Sequence, residues 1–240
     1  MKIIYLWVKN EGWKAFDFDT AETKKALVDR NITIGEFVTI GESVTIGESV
    51  TIGDSARIGD SAWVGYSVTI GRSTQIGEYI TIGEYVTIEE SARIGESTWV
   101  GNSVTIGKST RIGDHVTIGE YVTIEESARI GESARIGQSV TIGKSTWIGD
   151  HVTIGDYVTI GDKEVIKKSL YITGSRHSVS WFSTGIIHIG CHKEEINWWL
   201  ENYKAVCEKE HYTKEQIEEY GEYIKCCDIL QKSVKVKVKP

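Results

Sequence analysis

Proline is almost absent from this sequence, which has 240 residues and contains one proline, Pro240, against 25 glycines. A disordered or linker-rich chain normally carries more proline, so the composition argues against long flexible segments. The glycines follow no Gly-X-Y period, which excludes a collagen-like helix. Long apolar runs are also lacking, because Ile3–Val8 near the start is too short for a signal peptide or a membrane span. These absences predict a cytoplasmic protein without a membrane partner.

Cysteine and positive charge are both scarce. The four cysteines all follow residue 190, and without a signal peptide we expect reduced thiols rather than disulfides. The net charge is −7, and residues 32–162 carry 18 acidic but only 8 basic side chains. An acidic segment of this size repels the phosphate backbone, so no nucleic-acid partner is expected.

The middle of the chain is a repeat of six residues. The 22 positions spaced by six from Ile34 to Ile160 are all isoleucine except Val64 and Val100. Glycine follows each of them except at Glu89 and Glu125, and no step is interrupted by an insertion. Such regularity decides the architecture and is considered before any other pattern.

Each repeat predicts a short strand followed by a corner. In Val44-Thr45-Ile46 the two apolar side chains point inward and the threonine outward. We interpret Gly47 as a residue chosen for a backbone conformation that is costly for other residues. A helix is excluded, because six residues do not match its period and the strands are β-branched.

The pattern Ile-Gly-x-x-(Val/Ala/Thr)-x over residues 32–162 resembles the hexapeptide-repeat, left-handed parallel β-helix family. The resemblance implies triangular coils of three hexads, about seven in all, and usually a homotrimer. Residues 18 apart then stack into outward ladders on three faces. The first ladder is Thr51, Thr69, Thr87, Thr105, Thr123, Thr141 and Thr159. The candidate interface residues are these threonines together with three tryptophans on the other two faces, Trp63, Trp99 and Trp147.

Two corner columns are charged. The first is entirely acidic and consists of Glu42, Asp60, Glu78, Glu96, Asp114, Glu132 and Asp150. It is either a cation- or partner-binding edge or an exposed edge screened by salt and softened by nearby arginines, and we favour the second. The other column alternates in sign and predicts ordinary ladder pairing, namely Arg72, Glu90, Lys108, Glu126, Lys144 and Asp162.

The family resemblance implies acyltransferases that use acyl-CoA or acyl-carrier donors, with a histidine base and pockets shaped by extruded loops. The array has no extruded loop, and its two histidines, His115 and His151, share a corner column with serine and tyrosine. We interpret them as corner residues rather than bases. The array lacks the arrangement of three histidines that the family's carbonic anhydrases need for their metal. It also has one outward rank of threonines, whereas ice-binding solenoids usually present two. The array therefore predicts no catalytic residue, no metal and no cofactor.

The ends of the chain differ from the array. Residues 1–31 are predicted to cap it, with a strand at Ile3–Val8 and a helix at Ala21–Asp29. Residues 163–232 predict a small α+β domain, and residues 233–240 a basic tail that alternates like an edge strand. The predicted strands of the domain are Leu170–Thr173, Ser178–Phe182 and Ile186–Ile189, followed by helices over about 194–208 and after Thr213, where Gln216 completes a capping box.

The carboxyl-terminal domain holds the candidate ligand-binding residues, which are Arg176, His177, Trp181, His188, Cys191 and His192. The first three suggest an anion or nucleotide pocket. The last three could ligate zinc with a later cysteine, but their spacing fits no standard module, so we favour buried structural residues. The stretch GSRHSVSWFSTGIIHIGCH resembles carboxyl-terminal modules of phage and prophage proteins of unknown function.

These observations favour a mainly β, non-enzymatic homotrimer that acts as a rigid scaffold or spacer. Its carboxyl-terminal domain would bind an unknown protein or a small ligand. A phage-encoded structural part or inhibitor of host defence would fit, placing it in the virion or the host cytoplasm. Two alternatives remain: an acyl-CoA-dependent acyltransferase of the hexapeptide-repeat family, and a protein that sequesters a small ligand.

Overall fold

A computed structural model describes residues 3–8, 10–182 and 184–236 of the chain. It confirms a mainly β fold, in which a parallel β-solenoid of about seven turns is followed by a small antiparallel sheet and two helices. The helices are α1 (Ala21–Asp29), α2 (Ile196–Lys209) and α3 (Lys214–Val236). The left hand of the coil stays a prediction of the family resemblance.

The strands, in chain order, are β1 (Ile3–Val8), β2 (Gly12–Asp17), β3 (Thr33–Ile34), β4 (Thr39–Ile40), β5 (Val44–Ile46), β6 (Thr51–Ile52), β7 (Arg57–Ile58), β8 (Trp63–Val64), β9 (Thr69–Ile70), β10 (Gln75–Ile76), β11 (Thr81–Ile82), β12 (Thr87–Ile88), β13 (Arg93–Ile94), β14 (Trp99–Val100), β15 (Thr105–Ile106), β16 (Arg111–Ile112), β17 (Thr117–Ile118), β18 (Thr123–Ile124), β19 (Arg129–Ile130), β20 (Arg135–Ile136), β21 (Thr141–Ile142), β22 (Trp147–Ile148), β23 (Thr153–Ile154), β24 (Thr159–Ile160), β25 (Val165–Ile166), β26 (Ser169–Thr173), β27 (Ser178–Phe182), β28 (Ile186–Ile189) and β29 (His192–Glu195).

The solenoid has three parallel sheets whose register is 18 residues, as the sequence predicts. Thr87 lies beside Thr69 on one side and Thr105 on the other, and the same register holds along each face. The inward side chains form one continuous core, in which Ile46, Ile52 and Ile58 are at most 2% exposed. The three-hexad coil is therefore confirmed strand by strand.

The corners correct the explanation given for the glycines. The array glycines do not have positive φ; that conformation belongs to the residue two positions later. At every step from Asn31 to Lys163 this residue has φ between +53° and +61°, and it is serine, tyrosine, histidine or another non-glycine. The left-handed conformation costs such residues on the order of 1–2 kcal/mol each, and the coil imposes it.

The glycines are required by lack of space. A Cβ built on Gly113 would lie 2.8 Å from the backbone nitrogen of Glu132 in the next coil. Real Cβ atoms essentially never approach backbone closer than 3.0 Å. Successive coils, about 4.8 Å apart, thus pass each other backbone to backbone at this position. Glu89 and Glu125 show that a larger residue is accommodated at two corners, and the Glu89 carboxylate accepts a hydrogen bond from the Lys108 nitrogen at 3.0 Å.

Aspartate and asparagine at the corners bind the preceding coil. The Asp114 carboxylate accepts a hydrogen bond from the backbone nitrogen of Glu96 at 2.9 Å, and the Asn102 side-chain oxygen accepts one from Glu84 at 2.8 Å. The same contact recurs at Asp54, Asp60, Asp150, Asp156 and Asp162. The aspartates of the acidic column therefore satisfy backbone donors of the coil, a structural role that the sequence pattern did not reveal.

The alternating column forms the predicted ion pairs. Glu90 accepts from Lys108 at 2.5 Å and lies 3.7 Å from Arg72, while Glu126 lies 3.5 Å from Lys144. The hydrogen bond and charge of Lys108 lower the pKa of Glu90. Pairs this exposed contribute little to stability.

Both ends of the solenoid are covered by other elements. At the first coil, β1 pairs in parallel with β5, and β2 pairs antiparallel with β1. At the last coil, the antiparallel sheet β26–β29 packs on the open end, where the Ser169 hydroxyl accepts a hydrogen bond from the Thr153 nitrogen at 2.8 Å. Phe182 enters the solenoid core. A second core behind the sheet holds Trp181, Trp199 and Tyr220.

The predicted elements at the chain ends are largely confirmed. The strand at Ile3–Val8 and helix α1 have the predicted bounds. Strands β2, β25 and β29 were not predicted. The capping box is present, because Thr213 and Gln216 exchange backbone-to-side-chain hydrogen bonds of 3.0 and 3.3 Å. The tail is helical as far as Val236, where helix α3 ends, so the edge-strand interpretation is wrong for that part. Residues 237–240, including Pro240, lie outside the described residues. Among the helices described, none is long and apolar enough to cross a membrane.

The close approach of the coils predicts different effects for two glycines of one corner column. On Gly143 an added Cβ would lie 2.7 Å from the backbone nitrogen of Asp162, whereas on Gly161, one coil later, the nearest atom is 3.9 Å away. We expect Gly143→Ala to lower the free energy of unfolding by about 1–3 kcal/mol and Gly161→Ala to change it by less than about 0.5 kcal/mol. Urea denaturation of the two variants and the parent measures this difference, and equal effects would show that lack of space is not the reason for the glycines.

Candidate functional site

A cleft lies where the last coil meets the carboxyl-terminal domain. Its volume is about 980 Å³. Its walls come from the corner at Asp156 and Tyr157, the turn between β26 and β27, the turn between β28 and β29, and the end of helix α2. The uniform corners of the solenoid thus give way to irregular turns at this point.

Four of the six predicted ligand-binding residues line this cleft, namely Arg176, His177, Cys191 and His192. Trp181 does not, because it is 1% exposed in the second core and its indole nitrogen donates to the Gln231 side chain at 3.1 Å. His188 lies on the other side of the sheet, where it lines a separate cavity of about 130 Å³ with Lys193. The structure therefore brings four of the six residues together at this cleft and places His188 on the opposite face of β28, and their role in binding a ligand stays a prediction.

His188 stays neutral near pH 7. Burial lowers the pKa of its imidazole to about 4, and the positive charge of Lys193 acts in the same direction. Its ring packs edge-on against Phe182, with centroids 5.3 Å apart. We interpret it as a residue of the contact between the sheet and the last coil.

The turn that carries Arg176 and His177 is held by a tyrosine from helix α3. The buried Tyr220 hydroxyl accepts hydrogen bonds from the backbone nitrogens of Arg176 at 3.1 Å and His177 at 2.5 Å, and donates to the His177 carbonyl at 2.6 Å. Gly174 is required for this approach, since an added Cβ would lie 2.6 Å from the same hydroxyl oxygen. No local sequence pattern signals this contact, because Tyr220 lies more than 40 positions further along the chain.

A second contact anchors the same turn. The Glu219 carboxylate accepts hydrogen bonds from the backbone nitrogen of Ser175 at 2.9 Å and from its hydroxyl at 2.5 Å. These hydrogen bonds lower the pKa of Glu219. Because two adjacent residues of helix α3 bind the turn, the side chains at its tip are held in place over the cleft.

The guanidinium of Arg176 is oriented by an aromatic ring. It lies 4.6 Å from the centroid of Tyr212, and its Nη1 donates to the His211 carbonyl at 3.0 Å. Burial is the largest cause that raises the pKa of Tyr212 to about 12, so this ring stays neutral. A guanidinium has five donor hydrogens in a fixed plane, which suits it to bind phosphate or carboxylate groups.

His177 lies against the turn that carries Cys191. Ile189 pairs with His192 across a two-residue turn, and of the two turn residues Gly190 has φ +56°, as in a type II′ turn. A Cβ added to Gly190 would lie 3.3 Å from Cγ and Cδ2 of His177 and 3.6 Å from its Nδ1. The imidazole therefore contacts the residue directly before Cys191.

The two thiols of the cleft differ in environment. Cys191 is exposed, whereas Cys207 is 5% exposed and burial raises its pKa. Among the described residues, no group of three histidine, cysteine or acidic side chains is arranged to hold a metal ion. His188 lies across the sheet from Cys191 and His192, which separates the side chains of the zinc alternative.

The solenoid candidates remain surface residues. His115 and His151 have φ +57°, the same conformation as serine in their column. Trp99 and Trp147 are each 43% exposed on two different faces, and Trp63 is half-buried. The threonine ladder occupies the third face, and the interface role of all these residues stays a prediction.

A family model described as bacterial transferase hexapeptide (six repeats) matches residues 91–126 and 127–162. Among solved structures, the chain is similar to UDP-N-acetylglucosamine O-acyltransferase from Moraxella catarrhalis, with 18% identity over 80% of this chain and 73% of that one and a TM-score of 0.56. It also matches the UDP-N-acetylglucosamine acyltransferase of Francisella novicida, with 19% identity over 80% and 72% of the two chains and a TM-score of 0.38. No curated protein matches the chain in sequence.

The first of these structures shares the fold of this chain. This structure is named an acyltransferase, and that finding overturns the prediction of a non-enzymatic scaffold or spacer. Nothing supports the resemblance of the carboxyl-terminal module to phage proteins, which stays a prediction. The hexapeptide repeat, which the sequence pattern and the 18-residue register describe along the whole array, is matched by the family model over residues 91–162.

Proposed function

We propose that the protein is an acyltransferase that moves an acyl group from a thioester donor such as acyl-CoA to a hydroxyl or amino acceptor. The observation that carries this proposal is the cleft at the end of the solenoid, where an imidazole, a guanidinium and aromatic rings surround about 980 Å³. Its size is at the upper end of the range for small-molecule sites, about 300–1,000 Å³. The fold shared with an acyltransferase supports the reaction class.

Acyl transfer needs a base for the acceptor. A hydroxyl acceptor loses its proton as it attacks the thioester carbon, and an ammonium acceptor must lose one before its nitrogen can attack. Histidine is the usual residue that takes this proton. His177 is the best-placed candidate, because its side chain is exposed in the cleft and both its backbone polar groups bind Tyr220. His192 also lines the cleft, but its ring is half-buried and packs edge-on against Trp199 at 6.2 Å.

Arg176 would bind the anionic part of a substrate. Acyl-CoA carries phosphates, and Arg176 uses its Nη1 donor for the His211 carbonyl while its guanidinium carbon lies 4.6 Å from the centroid of the Tyr212 ring. This arrangement fixes the group before the ligand arrives, which lowers the entropic cost of binding. The adjacent positions of Arg176 and His177 on one anchored turn would set the distance between the bound phosphate and the base.

We also infer a homotrimer. The solenoid exposes Trp99 and Trp147, and exposed tryptophans on flat faces are typical of protein interfaces. The trimer that the family resemblance implies would cover one or more of these faces.

The proposed base is tested with one substitution at two histidines. We expect His177→Asn to lower kcat/KM for acetyl-CoA by about 100-fold, because general-base catalysis contributes about 10²–10⁴-fold. His115→Asn is the matched control, since asparagine fits the left-handed corner conformation of that position, and we expect no change. The measurement is acceptor-dependent release of free CoA thiol with a panel of amino and hydroxyl sugars, free and nucleotide-linked.

The outcomes of this assay distinguish a wrongly placed active site from a wrongly assigned function. If His115→Asn removes activity and His177→Asn does not, the protein is an acyltransferase whose site lies on the solenoid. If the parent protein neither binds acetyl-CoA nor releases its thiol with any acceptor of the panel, the proposed function is wrong.

The oligomeric state is tested separately. We expect sedimentation equilibrium at micromolar concentration to give three times the chain mass of 26.8 kDa. A monomer under these conditions would contradict the trimer without bearing on the cleft.

A further inference from the structure

We infer that the small cavity between the last coil and the carboxyl-terminal sheet is a binding site for a short-chain carboxylate of the size of butyrate. This site is separate from the cleft, and the inference does not depend on the proposed acyl transfer. It follows from three features: the size and apolar walls of the cavity, a buried imidazole that has no hydrogen-bond partner, and an ammonium group beside it.

The walls of the cavity are mostly apolar. Its volume is about 130 Å³, and its lining includes Ile160 and Ile166 from the last coil and Phe182 and Ile186 from the sheet. The first three of these side chains are at most 4% exposed. Since an apolar cavity of about 150 Å³ holds benzene, a cavity of this size fits a ligand of about six non-hydrogen atoms. Sugars, nucleotides and coenzymes are too large for it.

His188 places a polar group inside this apolar lining. The residue is 9% exposed, and its ring packs edge-on against Phe182. Among the described residues, no side chain or backbone group forms a hydrogen bond with the imidazole, although every fully buried side-chain nitrogen or oxygen there has a partner. The unpaired imidazole nitrogens therefore face the open space of the cavity. Because a buried polar group without a partner is costly, this position favours an occupant that forms a hydrogen bond.

The protonation state of His188 suits a ligand that accepts a hydrogen bond. Burial lowers the pKa of the imidazole to about 4, with the charge of Lys193 acting in the same direction. Near pH 7 the ring is therefore neutral, with one N–H donor and one acceptor nitrogen. A carboxylate oxygen can accept from this donor without the cost of burying a second charge on the protein.

Lys193 favours an anion over a neutral ligand. Its ammonium group lines the cavity and donates one hydrogen bond, to the Thr159 carbonyl at 2.9 Å. An ammonium has three donor hydrogens, and Lys193 takes part in none of the ion pairs within the described part of the chain. The Glu164 carboxylate also lines the cavity, but it is exposed, so water screens its charge.

These features together specify a carboxylate with a short alkyl chain. One carboxylate oxygen would accept from Lys193 and the other from His188, while the alkyl chain packs against the isoleucines. Inorganic phosphate would leave the apolar walls without an apolar partner, and an alkylammonium ion would be repelled by Lys193. A carboxylate with a short alkyl chain matches both the polar and the apolar parts of the lining.

The experiment is isothermal titration calorimetry of the full chain with butyrate at pH 7, beside 1-butanol as a similar alkyl chain without the charge. We expect saturable binding of butyrate and about tenfold weaker binding of 1-butanol, which lacks the charge-assisted hydrogen bonds. Lys193→Met removes the ammonium but keeps a long side chain, and it should weaken butyrate binding about tenfold. The matched control Lys209→Met, on the exposed end of helix α2, should bind butyrate as the parent does.

The place of binding is measured by NMR of the full chain with ¹³C-labelled histidine. His188 is identified as the histidine that titrates at about pH 4. We expect butyrate to shift its resonances in a saturable way and to raise its pKa, because a carboxylate beside an imidazole stabilises the protonated form.

Three results would overturn the inference. Without saturable butyrate binding, the cavity holds water only. Binding that shifts the resonances of His177 and leaves those of His188 unchanged would place the carboxylate in the cleft. Equal affinity of the parent and Lys193→Met for butyrate would show that the ammonium selects no anion. None of these results bears on acyl transfer, which the release of CoA measures separately.

Discussion

The close approach of successive coils at their corners is the constraint on which the rest of the structure depends. An added Cβ on most array glycines would lie 3.0 Å or less from backbone of the next coil, so the chain can stack only where glycine, or an exceptional glutamate, occupies that place. The same stacking forces a left-handed conformation on the residue two positions later, whatever its side chain. Aspartate and asparagine then reach the backbone nitrogen of the coil before, which joins neighbouring corners. Proline would remove a backbone donor from nearly any of these positions.

This constraint also explains where chemistry can occur. Within the solenoid each corner repeats the one before it. Its side chains contact the neighbouring coil, form exposed ion pairs or lie exposed on the surface. The repeat stops where the sheet β26–β29 packs on the last coil, and turns of different length there enclose the cleft. Helix α3 anchors one of these turns through Tyr220 and Glu219. The regular rod thus provides a rigid platform, and the appended domain provides the candidate site.

Much of the fold follows from the sequence because the repeat encodes it directly. The 18-residue register, the inward isoleucines and the bounds of helix α1 all depend on local patterns, and the structure confirms them. The reason for the glycines could not be read in the same way, because it depends on the distance between coils. The contact of Tyr220 with His177 joins residues 43 positions apart and has no local signal. The scaffold interpretation took the lack of extruded loops and of a histidine base in the array as evidence against an enzyme, and the fold shared with an acyltransferase contradicts it.

If the cleft, and not a face of the solenoid, binds the ligand, acetyl-CoA should protect only the elements that line the cleft. Hydrogen–deuterium exchange of the full chain, with and without acetyl-CoA, measures this protection. We expect acetyl-CoA to slow exchange in the turns 174–178 and 190–192 and at the end of helix α2, and to leave the corners of residues 37–145 unchanged. Slower exchange confined to corners of the solenoid, with the two turns unaffected, would contradict it.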